Sequence, residues 1–247
     1  MYLATGAGGE VMIWRRESLG NTERVTWIHY LSLPIPQVDS PPEDEVVIVS
    51  LHWQSQPDNH RNNECEGQLL VSYLWQGIIC WDLKTKTNLW KIPQTACISS
   101  ALSPDNCLIA IYKLSHHFEI YNLRTKLHMQ TMRSPIEASH QQLPVVFAHN
   151  GLALVGGSVQ GRVRVWDVTS GERLQVLVHD DLNPVRAIAA YYNREQDNFF
   201  IITAASQQSN SKIFLWETGA RRDQEYALHV AAISITIMAA AVWWHDM

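Results

Sequence analysis

GRVRVWDVTSGERLQVLVHDD, residues 161–181, reads as two β-strands joined by a tight turn. In GRVRVWD, Val163, Val165 and Asp167 fall on one face, while Arg162, Arg164 and Trp166 fall on the other. A period of two is the mark of a strand with two distinct surroundings. The Ser-Gly pair at 170–171 supplies the turn, and LQVLVH resumes an apolar strand. Apolar residues on both faces imply that neighbours cover both sides.

The same grammar recurs along the chain as an apolar strand, a polar turn and an alternating strand ending in an aromatic. It is found in YLATGAGGEVMIWRR, LLVSYLWQGIICWDL, CLIAIYKLSHHFEIYNL, LALVGGSVQGRVRVWDV and FIITAASQQSNSKIFLWET. The anchoring aromatics are Trp14, Trp81, Tyr121, Trp166 and Trp216, separated by 67, 40, 45 and 50 residues. Apart from the first, these spacings lie at or near the ~40–45 residues of one blade of a β-propeller. No window sustains a 3.6-residue apolar period, so the sequence predicts an all-β chain of four-stranded antiparallel blades, about five in number.

Residues 161–181 resemble a WD40 repeat: Trp166-Asp167, the Ser-Gly turn, and His179 in the place of the family's Gly-His pair. Trp81-Asp82 is a second match and Trp216-Glu217 a conservative third. The resemblance implies a propeller acting as a non-catalytic platform for other proteins, with these residues and Tyr121 as structural anchors. It also implies a hydrogen-bonded set of turn Asp, His, strand Ser or Thr, and Trp. The fourth repeat departs from that pattern, with Gln160 and Gly156 in the Asp and Ser places and only Trp166 and His140 left. In the third, Tyr121-Asn122 replaces Trp-Asp.

The chain opens inside a blade. YLATGA reads as a second strand, EVMIWRR as a third and RVTWIHYL as a fourth, which leaves a first strand to be supplied. Residues 1–229 form the repeat region, and 230–247 an apolar tail beginning VAAISITIMAAAVWW. Two readings of the tail compete. Ile233 to Ile237 can be the missing first strand beside Leu3, closing a five-bladed ring, as β-branched residues favour. Alternatively, 230–244 is a membrane-anchor helix, with Arg221-Arg222 on one flank and Trp243-Trp244 on the other.

Composition narrows the functional classes. The chain is 46% hydrophobic and 17% charged, which excludes disorder, collagen and coiled coil. A net charge of −5 offers no basic field for nucleic acid. Cys65, Cys80, Cys97 and Cys107 form no CxxC pair, so neither a disulfide framework nor an all-cysteine zinc site is expected. Reduced thiols suit a cytoplasmic or nuclear protein, or a membrane-anchored one facing the cytosol.

His116-His117 point to opposite faces of a strand and cannot share one metal without a bend. His149-Asn150-Gly151 reads as a hairpin turn. GAGG at 6–9 is followed by a second strand rather than a helix, which makes it a hairpin and not a phosphate loop. Neither a catalytic residue, a cofactor nor a metal is expected.

Partners are expected at the loops. The Pro-rich acidic stretch at 32–45, with Glu43, Asp44 and Glu45, and the polar stretches at 54–67 and 193–198 are candidates. Trp53 and Trp75 are candidate contacts, with packing between blades as their structural alternative. The remaining class is a carbohydrate-binding or glycosidase-like propeller, which needs two facing carboxylates.

Overall fold

The computed structural model describes residues 1–18, 25–36, 46–58, 66–93, 96–133, 141–179, 183–193, 195, 198–207, 210–219 and 236–238. Strands form in chain order. The first sheet holds β1 (Tyr2–Ala7), β2 (Glu10–Ser18) and β3 (Val25–Leu33). The second holds β4 (Ile48–Asp58), β5 (Glu66–Tyr73), β6 (Gly77–Asp82) and β7 (Thr87–Ile92). The third holds β8 (Cys97–Leu102), β9 (Leu108–Lys113), β10 (His117–Asn122) and β11 (His128–Arg133). The fourth holds β12 (Val145–Ala148), β13 (Ala153–Gly156), β14 (Arg162–Asp167) and β15 (Arg173–Val178). The fifth holds β16 (Val185–Asn193), β17 (Asn198–Gln207), β18 (Asn210–Gly219) and β19 (Thr236–Met238). All pairings are between sequence neighbours and antiparallel, so each sheet is a meander.

The five anchoring aromatics occupy one structural position, the third strand of the sheet or, in the first sheet, its second. At four of them the register with the next strand slips beside the anchor: at Ile13/Trp14, Cys80/Trp81, Ile120/Tyr121 and Val165/Trp166. The extra residues on the outer strand are Tyr30, Leu89, Met129 and Leu174. A bulge bends and twists an edge strand, which hinders pairing with another chain. This feature is as regular as the aromatic itself.

The Asp or Asn after the anchor stops the strand and caps the turn. Asp82 accepts bonds from the Thr85 amide (2.7 Å) and hydroxyl (3.0 Å). Asn122 accepts from the amides of Arg124 and Thr125, and Asp167 from those of Thr169 and Ser170. These bonds favour the charged carboxylate and hold Asp82 below its ordinary pKa. A depressed folded pKa gives stability that is present above the unfolded value near 4 and lost as pH falls through the folded one. Asp82→Asn is therefore expected to flatten the acid limb of a melting-temperature profile below about pH 4. Its cost at neutral pH stays under about 1 kcal/mol, because the group is exposed.

The chain divides into two compact units, residues 1–100 with 113–115, and residues 101–112 with 116–247. The first unit's core joins Tyr2, Val11, Ile13, Leu31 and Leu33 of the first sheet to Leu69, Val71, Tyr73, Ile79 and Trp81 of the second. The second unit's core includes Ala148, Val155, Val163, Val165 and Leu177 of the fourth sheet with Val185, Ile201 and Trp216 of the fifth.

Two sequence expectations are corrected. The stretch 54–67 is not wholly a loop, because β4 runs on to Asp58 and β5 begins at Glu66. The closing strand takes another place: Thr236–Met238 pairs with β18, matching Trp216 to Ile237, and the first sheet keeps three strands with β1 at its edge. β19 stands where β7, β11 and β15 stand, completing the hydrogen-bonded ladder that β18 would otherwise leave open. Ile233 and the rest of 230–247 lie outside the described residues. No helix among the described residues is long and apolar enough to cross a membrane.

Candidate functional site

In the second unit, the turns after β8, β12 and β16 gather aromatic side chains. The turn between β12 and β13 is unusual, since His149, Asn150 and Gly151 all have positive φ, at 49°, 55° and 92°. Gly and Asn accept this region readily, and His enters it more often than most other residues. At Gly151 it is the backbone angle and not space that favours glycine, because a Cβ would make only ordinary contact with Pro104, 3.6 Å away in the turn after β8.

β16 and β17 are long strands, and their paired ends carry Tyr191 opposite Phe200 and Tyr192 opposite Phe199. The Tyr192 and Phe199 rings stack at 4.3 Å and 18°, and the His149 ring lies 4.3 Å from Phe199. Between them is a hollow of about 60 Å³ lined by Pro104, Phe147, His149, Tyr191, Tyr192 and Phe199. Its size is far below the roughly 300–1,000 Å³ of small-molecule sites, so it suits a protein side chain. Burial pushes the His149 pKa down, which keeps the ring neutral and the lining uncharged at pH 7. Tyr191 is 64% exposed at the rim, where it can be covered by a partner.

Sequence reading treated His149 as a plain turn residue and missed Tyr191, Tyr192, Phe199 and Phe200. A signal was present, as Tyr191-Tyr192 and Phe199-Phe200 flank NREQDN symmetrically across a predicted hairpin. Of the expected contacts, Trp75 is 38% exposed in the β5–β6 turn, and Trp53 is half-buried against the first unit's core. Glu43, Asp44 and Glu45 lie outside the described residues, as do Cys65 and His140.

The anchors divide by repeat. In the fifth sheet the Trp216 indole N–H donates to Thr203 Oγ1 (2.9 Å), which shares a 2.8 Å bond with His179 Nε2. All three residues are buried. In the first sheet Trp14 donates to Thr5 Oγ1 at 2.8 Å. The register puts Val71, Ile111 and Gly156 in the same position of the other three sheets.

Two other clusters carry chemistry by residue type alone. Ser100 Oγ lies within hydrogen-bond distance of Ser50 and Ser72 Oγ and 3.0 Å from His52 Nε2. Three partners fill a hydroxyl's one donor and two acceptor sites. Burial also lowers the His52 pKa. Ser100 therefore ties strands together and is no free nucleophile. His117 pairs with Glu119 at 2.8 Å, and the Tyr121 hydroxyl donates to the same carboxylate. Among the described residues no three His, Cys, Asp or Glu side chains converge as a metal site would require.

No protein-family model and no curated protein matches the chain. Solved structures do. A chain of the crystal structure of a mitotic checkpoint complex aligns at a TM-score of 0.58 and 14% identity, over 87% of this chain and 58% of its own. A chain of the crystal structure of BBS1N in complex with ARL6DN aligns at 0.65 and 13%, over 87% and 60%. The chain thus spans about three fifths of these neighbours. At such identities the likeness speaks for the fold alone, and the fold is an all-β, propeller-type array of antiparallel sheets.

Proposed function

We propose that this chain is a non-catalytic interaction scaffold of the WD40 type, and that the aromatic hollow is one of its partner-binding surfaces. The observation that carries this is the hollow itself: aromatic, uncharged and sized for a side chain. Tyr and Trp in central, shielded positions dominate protein interfaces because they bury much area at little entropic cost. Both structural neighbours come from crystals of protein complexes, which supports the same reading.

A photo-crosslinking residue at Tyr191 tests it. The expected result is a discrete crosslinked partner, lost when Tyr192→Ala and Phe199→Ala are added. Crosslinking no stronger than from the same group at Leu127, another exposed apolar position, would remove the hollow from consideration.

A further inference from the structure

In the hollow of the second unit, Phe199 is the middle ring, with Tyr192 and His149 each 4.3 Å away. All three are half-buried, so each still offers part of its ring to an incoming group. Burial keeps His149 neutral, and a neutral imidazole retains one lone pair as an acceptor. Among the described residues, neither of its ring nitrogens has a hydrogen-bond partner. The hollow therefore lacks a hydrogen-bond donor as well as a side chain to fill it.

Charge around the hollow points the same way. Among the described residues no Lys or Arg lines it. Asp105 follows the lining residue Pro104 and is exposed. Bonds from the Ser103 hydroxyl and the Cys107 amide hold its carboxyl below the ordinary range, so it is ionised at pH 7. The turn that joins Tyr192 to Phe199 sets Glu195 and Asp197 against Arg194 in its sequence, and Glu195 is exposed.

We propose that the side chain this hollow takes is an arginine, presented by a basic segment of a partner protein. The inference rests on the reading of the hollow as a partner surface and names what enters it. A guanidinium lies flat on aromatic faces, is weakly hydrated and carries five donors. It covers the rings and supplies the His149 nitrogen with its missing bond. An aliphatic side chain would bury that nitrogen unpaired, which offsets the area it covers. A carboxylate would meet the negative faces of the rings and the nearby Asp105 and Glu195. A lysine ammonium is compact and strongly hydrated, so it gives up more water on entry. The net charge of −5 favours the approach of a basic partner.

N-acetylarginine methylamide, its citrulline counterpart and N-acetylleucine methylamide test it, each titrated into the full chain at matched ionic strength. Binding is read from NMR shifts of the His149 and Tyr192 ring signals. Citrulline keeps the shape of arginine and removes its charge. The arginine compound is expected to saturate the shifts and to bind about tenfold more tightly than the citrulline compound. Phe199→Leu keeps apolar bulk and removes a π face, and is expected to weaken arginine binding about tenfold. Tyr192→Leu repeats that comparison should Phe199→Leu lower the melting temperature. Equal binding of the arginine and citrulline compounds, or tighter binding of leucine, overturns the arginine and leaves the hollow a partner surface. Silence from all the compounds also overturns it, and the crosslink from Tyr191 then judges the hollow separately.

Discussion

Thr203→Val lowers unfolding stability by about 2–4 kcal/mol, measured by denaturant titration, with little change in secondary structure. The substitution keeps the shape and removes one hydroxyl. That hydroxyl accepts from the Trp216 indole and shares the bond with His179. Both partners are buried, so each loses its bond without gaining water, and an unsatisfied buried group costs roughly 1–3 kcal/mol. The chain contains the reverse case. Val71 holds the same position beneath Trp81, whose buried N–H lacks a well-formed hydrogen bond and has only the Tyr73 hydroxyl, equally short of a good partner, to interact with. Val71→Thr supplies the missing acceptor and raises stability by about 0.5–1.5 kcal/mol. Should both substitutions prove neutral, the Trp–Thr bond is not what holds these sheets.

The sequence was informative where one residue's role is local. Trp166-Asp167 marks a strand end because the indole needs a covered face and the carboxylate caps the following turn. The same logic covers Trp81 and Tyr121, whose Asp82 and Asn122 cap the turns that follow, whereas Trp14 and Trp216 stand inside strands that run on to Ser18 and Gly219. GAGG was recognisable as a hairpin for the same reason, and Gly8 does have a positive φ. What escaped is made by residues distant in sequence. The bulge beside each anchor depends on how the outer strand returns, and Leu89 or Met129 look like ordinary strand residues. The hollow needs Pro104, His149 and Phe199, three turns apart in the chain, to meet. The tail was misplaced for a related reason. Its β-branched residues favour a strand without saying which open edge it completes, and both β1 and β18 needed one.

The fourth repeat departs from the WD40 pattern, and its Gly156 is explained by packing. A Cβ at Gly156 would stand 2.5 Å from Phe118 Cζ, with Cε2 and Cε1 at 2.9 and 3.0 Å. The ring cannot retreat. Phe118 is fully buried, with Tyr112 4.9 Å away and Trp166 5.1 Å away, ring centre to ring centre. The place of the absent hydroxyl is thus filled by an aromatic cluster, which covers Trp166 by contact instead of by a hydrogen bond. Gly156→Ala is expected to cost about 2–3 kcal/mol through overpacking, and Gly156→Ser no less, despite restoring the family's residue type. Phe118→Leu alone costs about 1–2 kcal/mol in lost contacts. The double variant Gly156→Ala/Phe118→Leu should be more stable than Gly156→Ala, because the smaller side chain makes room for the methyl group. A coupling energy of about 1–2 kcal/mol in that cycle is the expected reading. Strict additivity would mean that the glycine serves some need of the backbone, and that the ring above it is incidental.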